Sequence, residues 1–233
     1  MNRDPLSHQH LIIDADDTLW ENNIYFERAF DAFAEFLAHS TMTAAQVRSV
    51  LDEIERINAK LHGYGSAVFG LNLRQCYERL AERAINDADL QAVMRFAEEI
   101  LEQPIELIDG VGDTLAYLRT RHTLTLFTKG NADEQKLKID RSGLASFFTH
   151  ACVVHEKDAA AYRQLVAERR MDPARSWMIG NSPRSDVNPA LRAGLNAVFV
   201  PHPRTWGLEK EAIEAGPGRL LRVERFRDLL DHF

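Results

Sequence analysis

Two cysteines among 233 residues are too few for a disulfide framework. Cys76 and Cys152 stand among apolar neighbours with no second cysteine at metal-ligand spacing, so both read as reduced, largely buried thiols. Long apolar runs are lacking too. No segment approaches the roughly 18 apolar residues that a membrane helix needs. The opening MNRDPLSHQH holds no apolar core of signal-peptide length. These absences point to a cytoplasmic protein without a membrane partner. Positive charge is also short, with 28 Lys and Arg against 35 Asp and Glu and a formal net charge of -7. That balance argues against nucleic acid as the main partner. A phosphate-bearing ligand gains nothing from the overall field and needs local cations.

What is present suits a globular enzyme. Hydrophobic residues make up 45% of the chain, too many for a disordered one. The length allows one large domain, or a core carrying a smaller insertion. Short apolar runs at 10–14 (HLIID), 123–128 (TLTLFT), 149–154 (THACVV), 176–180 (SWMIG) and 196–200 (NAVFV) have the length of strands buried on both faces. A weaker run lies at 219–223 (RLLRV). Helical patterns separate them: Val111, Leu115 and Leu118 form one stripe, and Leu165 and Val166 belong to a helix over about 158–170. Strands alternating with helices predict an α/β fold with a parallel sheet.

The first two strands are separated by far more chain than one crossover requires. Residues 21–105 read as helix throughout. Phe26, Phe30, Phe33 and Leu37 repeat at helical spacing. Thr43 and Gln46 make a capping-box pattern before a stripe of Val47, Val50, Leu51, Ile54 and Leu61. A third helix is expected near 70–85 and a fourth after Asp87, with GYGSAVFG (63–70) as a glycine-rich turn region before the third. The expected division is a catalytic core of 1–20 and 106–233 with a helical cap of 21–105, hinged near Trp20–Asn22 and Pro104–Gly110.

Four places carry candidate chemistry, each at the carboxyl end of an expected strand, where ligands of open parallel sheets bind. Asp14-Ala15-Asp16-Asp17-Thr18 follows the first run. Neighbouring carboxylates repel and need a cation or a shared proton. Thr128, followed by Lys129, Gly130 and Asn131, offers a hydroxyl and the free amides of a turn to an anion. Lys157 stands where a strand hands over to a helix and suits a phosphate counter-charge. Gly180-Asn181-Ser182-Pro183-Arg184-Ser185-Asp186 supplies a further carboxylate for a hard cation. Taken singly, each place also reads as a helix cap, a turn or a solvated surface group.

Together, Asp14-x-Asp16-x-Thr18, Thr128, Lys157 and Gly180-Asn181-x-x-x-x-Asp186 resemble the four motifs of the haloacid dehalogenase superfamily, in order and along the whole chain. The resemblance implies a Rossmann-like core with an inserted helical cap. It implies a Mg2+-dependent phosphatase with Asp14 as covalent nucleophile and Asp16 as general acid and base. Thr128 and Lys157, with Lys129 beside them, would bind the phosphate of a small phosphorylated metabolite. Asp14, Asp16 through its carbonyl, and Asp186 would hold Mg2+. Many relatives carry an acid where this chain has Asn181, which implies a weak ligand or one beyond the metal's direct shell, its NH2 donating to a carboxylate of the cluster. The superfamily's dehalogenases lack the second aspartate of the first motif, so Asp16 favours phosphate chemistry. Its phosphonatases use a cap lysine, and Lys60, within a helix, reads as solvated. A sugar-phosphate mutase and a catalytically weak binding member remain the alternatives. Glu21, Asn22, Tyr25, His62, Tyr64 and Arg74 are candidates for substrate recognition, each with a packing or surface role as the plainer reading.

Overall fold

The computed structural model describes Leu6 and residues 8–233. Residues 1–5 and 7, and with them most of the amino-terminal stretch read above, lie outside the described residues. The chain divides into two compact units, residues 1–21 with 105–233, and residues 22–104.

The first unit is built on a six-stranded, all-parallel sheet: β1 (His10–Ile13), β2 (Thr123–Lys129), β3 (His150–Val154), β4 (Ser176–Gly180), β5 (Asn196–Phe199) and β6 (Leu220–Arg222), in the spatial order β3-β2-β1-β4-β5-β6. All six apolar runs form strands. The central ones are apolar at nearly every position because both faces are covered. Leu11 and Ile13 pack on one face with Val111, Leu115 and Leu118 of α5 (Val111–Leu118), the four helices before it belonging to the other unit. Ile12 points to the opposite face and packs with Tyr162 and Leu165 of α7 (Ala159–Glu168). α6 (Ala132–Ser142) and α8 (Asn188–Arg192) complete the helices of this unit. Chain order reverses direction across the sheet at β1, which pairs with β2 on one side and β4 on the other. That reversal leaves a crevice at the carboxyl ends of β1 and β4.

The second unit is helical: α1 (Asn23–Leu37), α2 (Ala44–His62), α3 (Ser66–Leu80) and α4 (Asp87–Glu98). Its core joins Phe30 and Phe33 to Leu51, Leu73, Tyr77 and Val93. The capping box at the start of α2 forms as the sequence implies, with Thr43 and Gln46 satisfying each other's backbone amides.

Two expectations differ. Leu61 is 69% exposed and lies outside the α2 stripe; the turn it shares with Ile57 faces solvent, while Glu55 and Asn58 are buried instead. Asn58 donates to Asn72 (2.7 Å) and Gln75 (2.9 Å) of α3, so polar pairing replaces the apolar stripe there. Only Gly63–Gly65 of the glycine-rich stretch forms a turn, and α3 already starts at Ser66. Gly70 is a packing glycine inside α3: a methyl group there would approach Met94 Cε to 2.9 Å and Ala97 Cβ to 3.2 Å on α4.

The two segments that leave and re-enter the first unit run side by side. The Glu21 amide donates to the Glu106 carbonyl (2.9 Å), the Ile108 amide donates to the Leu19 carbonyl (3.0 Å), and Trp20 and Leu107 form an antiparallel bridge. No helix among the described residues is long and apolar enough to cross a membrane.

Candidate active site

Asp14 directly follows β1, and its amide extends the ladder by donating to the Ile179 carbonyl of β4 (2.9 Å). The strand therefore delivers its carboxylate to the reversal point of the sheet. Lys157, 2% exposed, closes the β3-to-α7 connection and brings its ammonium to the same place. It bonds Asp14 Oδ1 and, at 2.7 Å, Asp186 Oδ1. Asp186 is 1% exposed and sits in a wide helical turn, Pro183–Val187, that follows β4. Its other oxygen accepts from the Ser182 amide (2.9 Å).

Two carboxylates and one ammonium thus share a buried volume. Burial, and then the Asp14 charge, push the Asp186 carboxyl up to about 7, against the pull of Lys157. Burial works against the Lys157 ammonium, but Asp14 and Asp186 outweigh it and hold it well above the ordinary lysine value. With both carboxylates ionised the cluster carries surplus negative charge, and its free capacity is all oxygen. That donor set fits a hard divalent cation such as Mg2+. Thr18 donates to Asp14 Oδ2 (3.1 Å) and to Asn181 Oδ1 (3.3 Å), tying Asn181 to the edge of the cluster. The Asn181 NH2 donates to Thr205 Oγ1 (3.0 Å) and not, as expected, to a carboxylate. Thr205 lies in a loop beyond β5, which sequence spacing does not bring to mind.

Asp16 belongs to a different set of contacts. Its carboxylate accepts from Lys138 Nζ at 2.6 and 2.7 Å, from Gln135 Nε2 at 2.8 Å and from Trp20 Nε1 at 2.8 Å. Burial alone would raise its pKa; Lys138, with the Gln135 and Trp20 donors, outweighs burial and holds it below the ordinary carboxylate value. Lys138 and Gln135 lie three residues apart on α6, one helical face, and the sequence reading missed both.

Lys129 also has partners of its own. Its ammonium donates to Glu209 (2.6 Å) and Ser185 (2.8 Å), with Glu156 at 3.5 Å. Glu209 and Ser185 thus engage the charge expected to meet phosphate. Thr128 is buried on β2, in register with Val153. Among the recognition candidates, Glu21 lies in a cluster with Asp17 and His202 and is 3.6 Å from Arg204. The Tyr25 hydroxyl donates to the Pro104 carbonyl (3.0 Å), and Arg74 pairs with Glu78 (2.9 Å).

The sequence model of the haloacid dehalogenase-like hydrolases matches residues 41–200, more than half of the chain. The chain belongs to this family. The match takes in Thr128, Lys157 and Asp186, and begins after Asp14. A haloacid dehalogenase-like hydrolase of solved structure from Xanthomonas campestris is 31% identical, with a TM-score of 0.82 over 98% of this chain and 91% of that one. A phosphoserine phosphatase of Thermus thermophilus is 28% identical over 215 residues, 88% of this chain and 80% of its own. A 2-haloacid dehalogenase from Pseudomonas syringae, 20% identical with a TM-score of 0.63 over 96% and 97% of the two chains, shares the fold. The Rossmann-like core with its helical insertion is thus the fold of a hydrolase family.

Proposed function

We propose that the chain is a Mg2+-dependent phosphatase acting on small phosphate monoesters through Asp14. The observation that carries this reading is the buried Asp14–Lys157–Asp186 cluster with its surplus negative charge. Asp14, Asp186 and the Asp16 carbonyl would hold the cation, with Asn181 at the margin through Thr18. A cation held there would offset the repulsion between carboxylate and phosphate and stabilise the charge of the transition state. In this reading Asp14 attacks phosphorus and Lys157 and Thr128 orient the phosphoryl oxygens. Asp16 gives a proton to the leaving alkoxide, and later takes one from the water that cleaves the aspartyl-phosphate. In the resting protein Lys138 keeps Asp16 ionised, which suits the second step; for the first, Asp16 has to leave Lys138 to carry a proton. Lys129 is engaged by Glu209 and is dropped from the phosphate contacts.

The similarity to a phosphoserine phosphatase supports a small monoester and makes phosphoserine the first substrate to try. Phosphate release from p-nitrophenyl phosphate and phosphoserine, with Mg2+ and with a chelator, is the test. Mg2+ is expected to be required, Asp14→Asn to be inactive, and Asp16→Asn to be slower by roughly 10²–10⁴-fold. Full activity after exhaustive chelation, or near-normal turnover by Asp14→Asn, overturns the proposal. Chelator-resistant turnover of a 2-haloacid would replace it with dehalogenation.

A further inference from the structure

The opposite edge of the sheet, at the amino ends of the strands, carries a cavity of about 540 Å3. Its wall comes from three stretches of chain: residues 8–10 leading into β1, 119–123 leading into β2, and 170–175 leading into β4. Arg119, Arg121, Arg170 and Arg175 line it, together with His8, His10 and His122. Among the described residues, Asp172 is the only acid in the lining, and its carboxylate accepts from the Ala174 amide (3.0 Å). In a chain of net charge -7, four guanidinium groups around one concavity reverse the overall field locally.

Among the described residues, no carboxylate lies within ion-pair distance of Arg119, Arg121 or Arg170. Many arginines elsewhere do have such a partner, as Arg48, Arg192 and Arg225 show. Aromatic rings hold two of them in place without cancelling their charge. The Arg119 guanidinium stacks over Phe147 at 5.6 Å and that of Arg121 over Tyr117 at 5.2 Å. Arg175 is tethered through its donation to the His8 carbonyl (2.6 Å). Arg119 and Arg170 each follow a helix carboxyl end, where a cation also meets the helix dipole. That explains their places along the chain, but not their convergence on one cavity. His10, also in the lining, has a buried Nδ1 without a hydrogen-bond partner. A buried polar atom left unpaired calls for a missing partner such as a ligand or ordered water.

We propose that this cavity binds a small multiply charged anion of the phosphate class, at a site separate from the catalytic cluster. Its volume is that of a small-molecule site, for which roughly 300–1,000 Å3 is usual. Guanidinium forks match phosphate oxygens in pairs. The four residues of β1 span about 13 Å at the usual rise per residue, so an anion at His10 is out of reach of Asp14. The surrounding negative charge disfavours a long nucleic acid, which would meet repulsion beyond the cavity rim.

Calorimetric titration of the full chain with inorganic pyrophosphate, in chelator at physiological salt, tests this site. Wild type is expected to bind, and the double variant Arg119→Gln/Arg121→Gln to bind roughly tenfold more weakly or worse. The variant's circular dichroism and melting temperature are expected to match wild type, because both side chains are exposed. Arg119→Lys/Arg121→Lys, which keeps the charge, is expected to retain more of the affinity than the glutamine pair. Absence of binding by wild type overturns the proposal. So does binding that the glutamine pair leaves unchanged, since pyrophosphate would then sit elsewhere. Tighter binding of a 20-mer oligonucleotide, lost in the same variant, overturns the small-ligand assignment in favour of nucleic acid.

Discussion

A methyl group on Gly180 would stand 2.5 Å from Cγ of Asp186, closer than real side chains come. Gly180 therefore lets the carboxylate fold back over the end of β4 and reach Lys157. Gly180→Ala has to displace Asp186, and if Asp186 holds Mg2+ the cation is bound more weakly. The half-saturating Mg2+ concentration should rise on the order of tenfold, by comparison with disturbed ligand support at other metal sites. Titrating phosphatase activity against Mg2+ checks this, and an unchanged value would separate Asp186 from the metal. Lys138 acts on the neighbouring acid. It holds the Asp16 carboxyl below its ordinary value, so removing its charge lets that value rise. In Lys138→Met the ionised, water-activating form of Asp16 is then reached only at higher pH. The acid limb of the pH–rate profile is expected to move to higher pH, with no such move in Lys136→Met on the same helix. An unmoved limb would mean that another group sets it.

At the level of elements, the start of the central sheet depends on a histidine. The Gln9 amide donates to His122 Nδ1 (3.1 Å), and the Thr123 amide donates to the Gln9 carbonyl (3.1 Å). These two bonds lock the entries of β1 and β2 together. Nδ1 can accept only while the ring lacks a proton there, and Nε2, 3.4 Å from the Phe233 oxygen, carries the hydrogen. Burial pushes the His122 pKa below 6.5, outweighing the Phe233 contact. The unfolded chain therefore takes up a proton at a pH where the folded chain does not. The stabilisation is complete above pH 6.5 and is lost as pH falls from there towards the folded value. Chemical denaturation of wild type and His122→Gln between about pH 7.5 and 5, the range over which histidine titrates, should show the steeper acid loss in wild type. Parallel curves would remove His122 from the acid response.

At the scale of the whole molecule, the helical unit of residues 22–104 is joined to the sheet unit by two segments that pair at Glu21–Glu106 and Leu19–Ile108. We propose that this unit serves as a lid on the catalytic cluster, with these segments as its hinge. Closure would exclude water until the leaving group has departed. Small-angle scattering with Mg2+ and aluminium fluoride, a mimic of the transferring phosphoryl group, is expected to give a smaller radius of gyration than the protein alone. A scattering curve indifferent to both additions counts against the lid.

Much of this protein is local in origin and therefore legible in the sequence. A parallel strand covered on both faces must be apolar throughout, so HLIID, TLTLFT and SWMIG announce the sheet, and the acid or hydroxyl closing a run marks its active edge. The Thr43–Gln46 capping box is legible for the same reason, since its partners are three residues apart. Pairings between distant segments are not. Lys129 ends β2, Lys157 follows β3, and the two look alike in sequence. Only the packing of Glu209, 80 residues further on, takes up the first, while the chain path after β3 brings the second to Asp14. Lys138 and Gln135 read as the solvated face of a polar helix until α6 docks beside Asp16. The arginine cavity draws on three stretches that meet only because parallel strands bring their amino ends to one edge. Local pattern determines which elements form; which charges meet is decided by the order of the strands, because burial makes each ion find a partner wherever the fold places one.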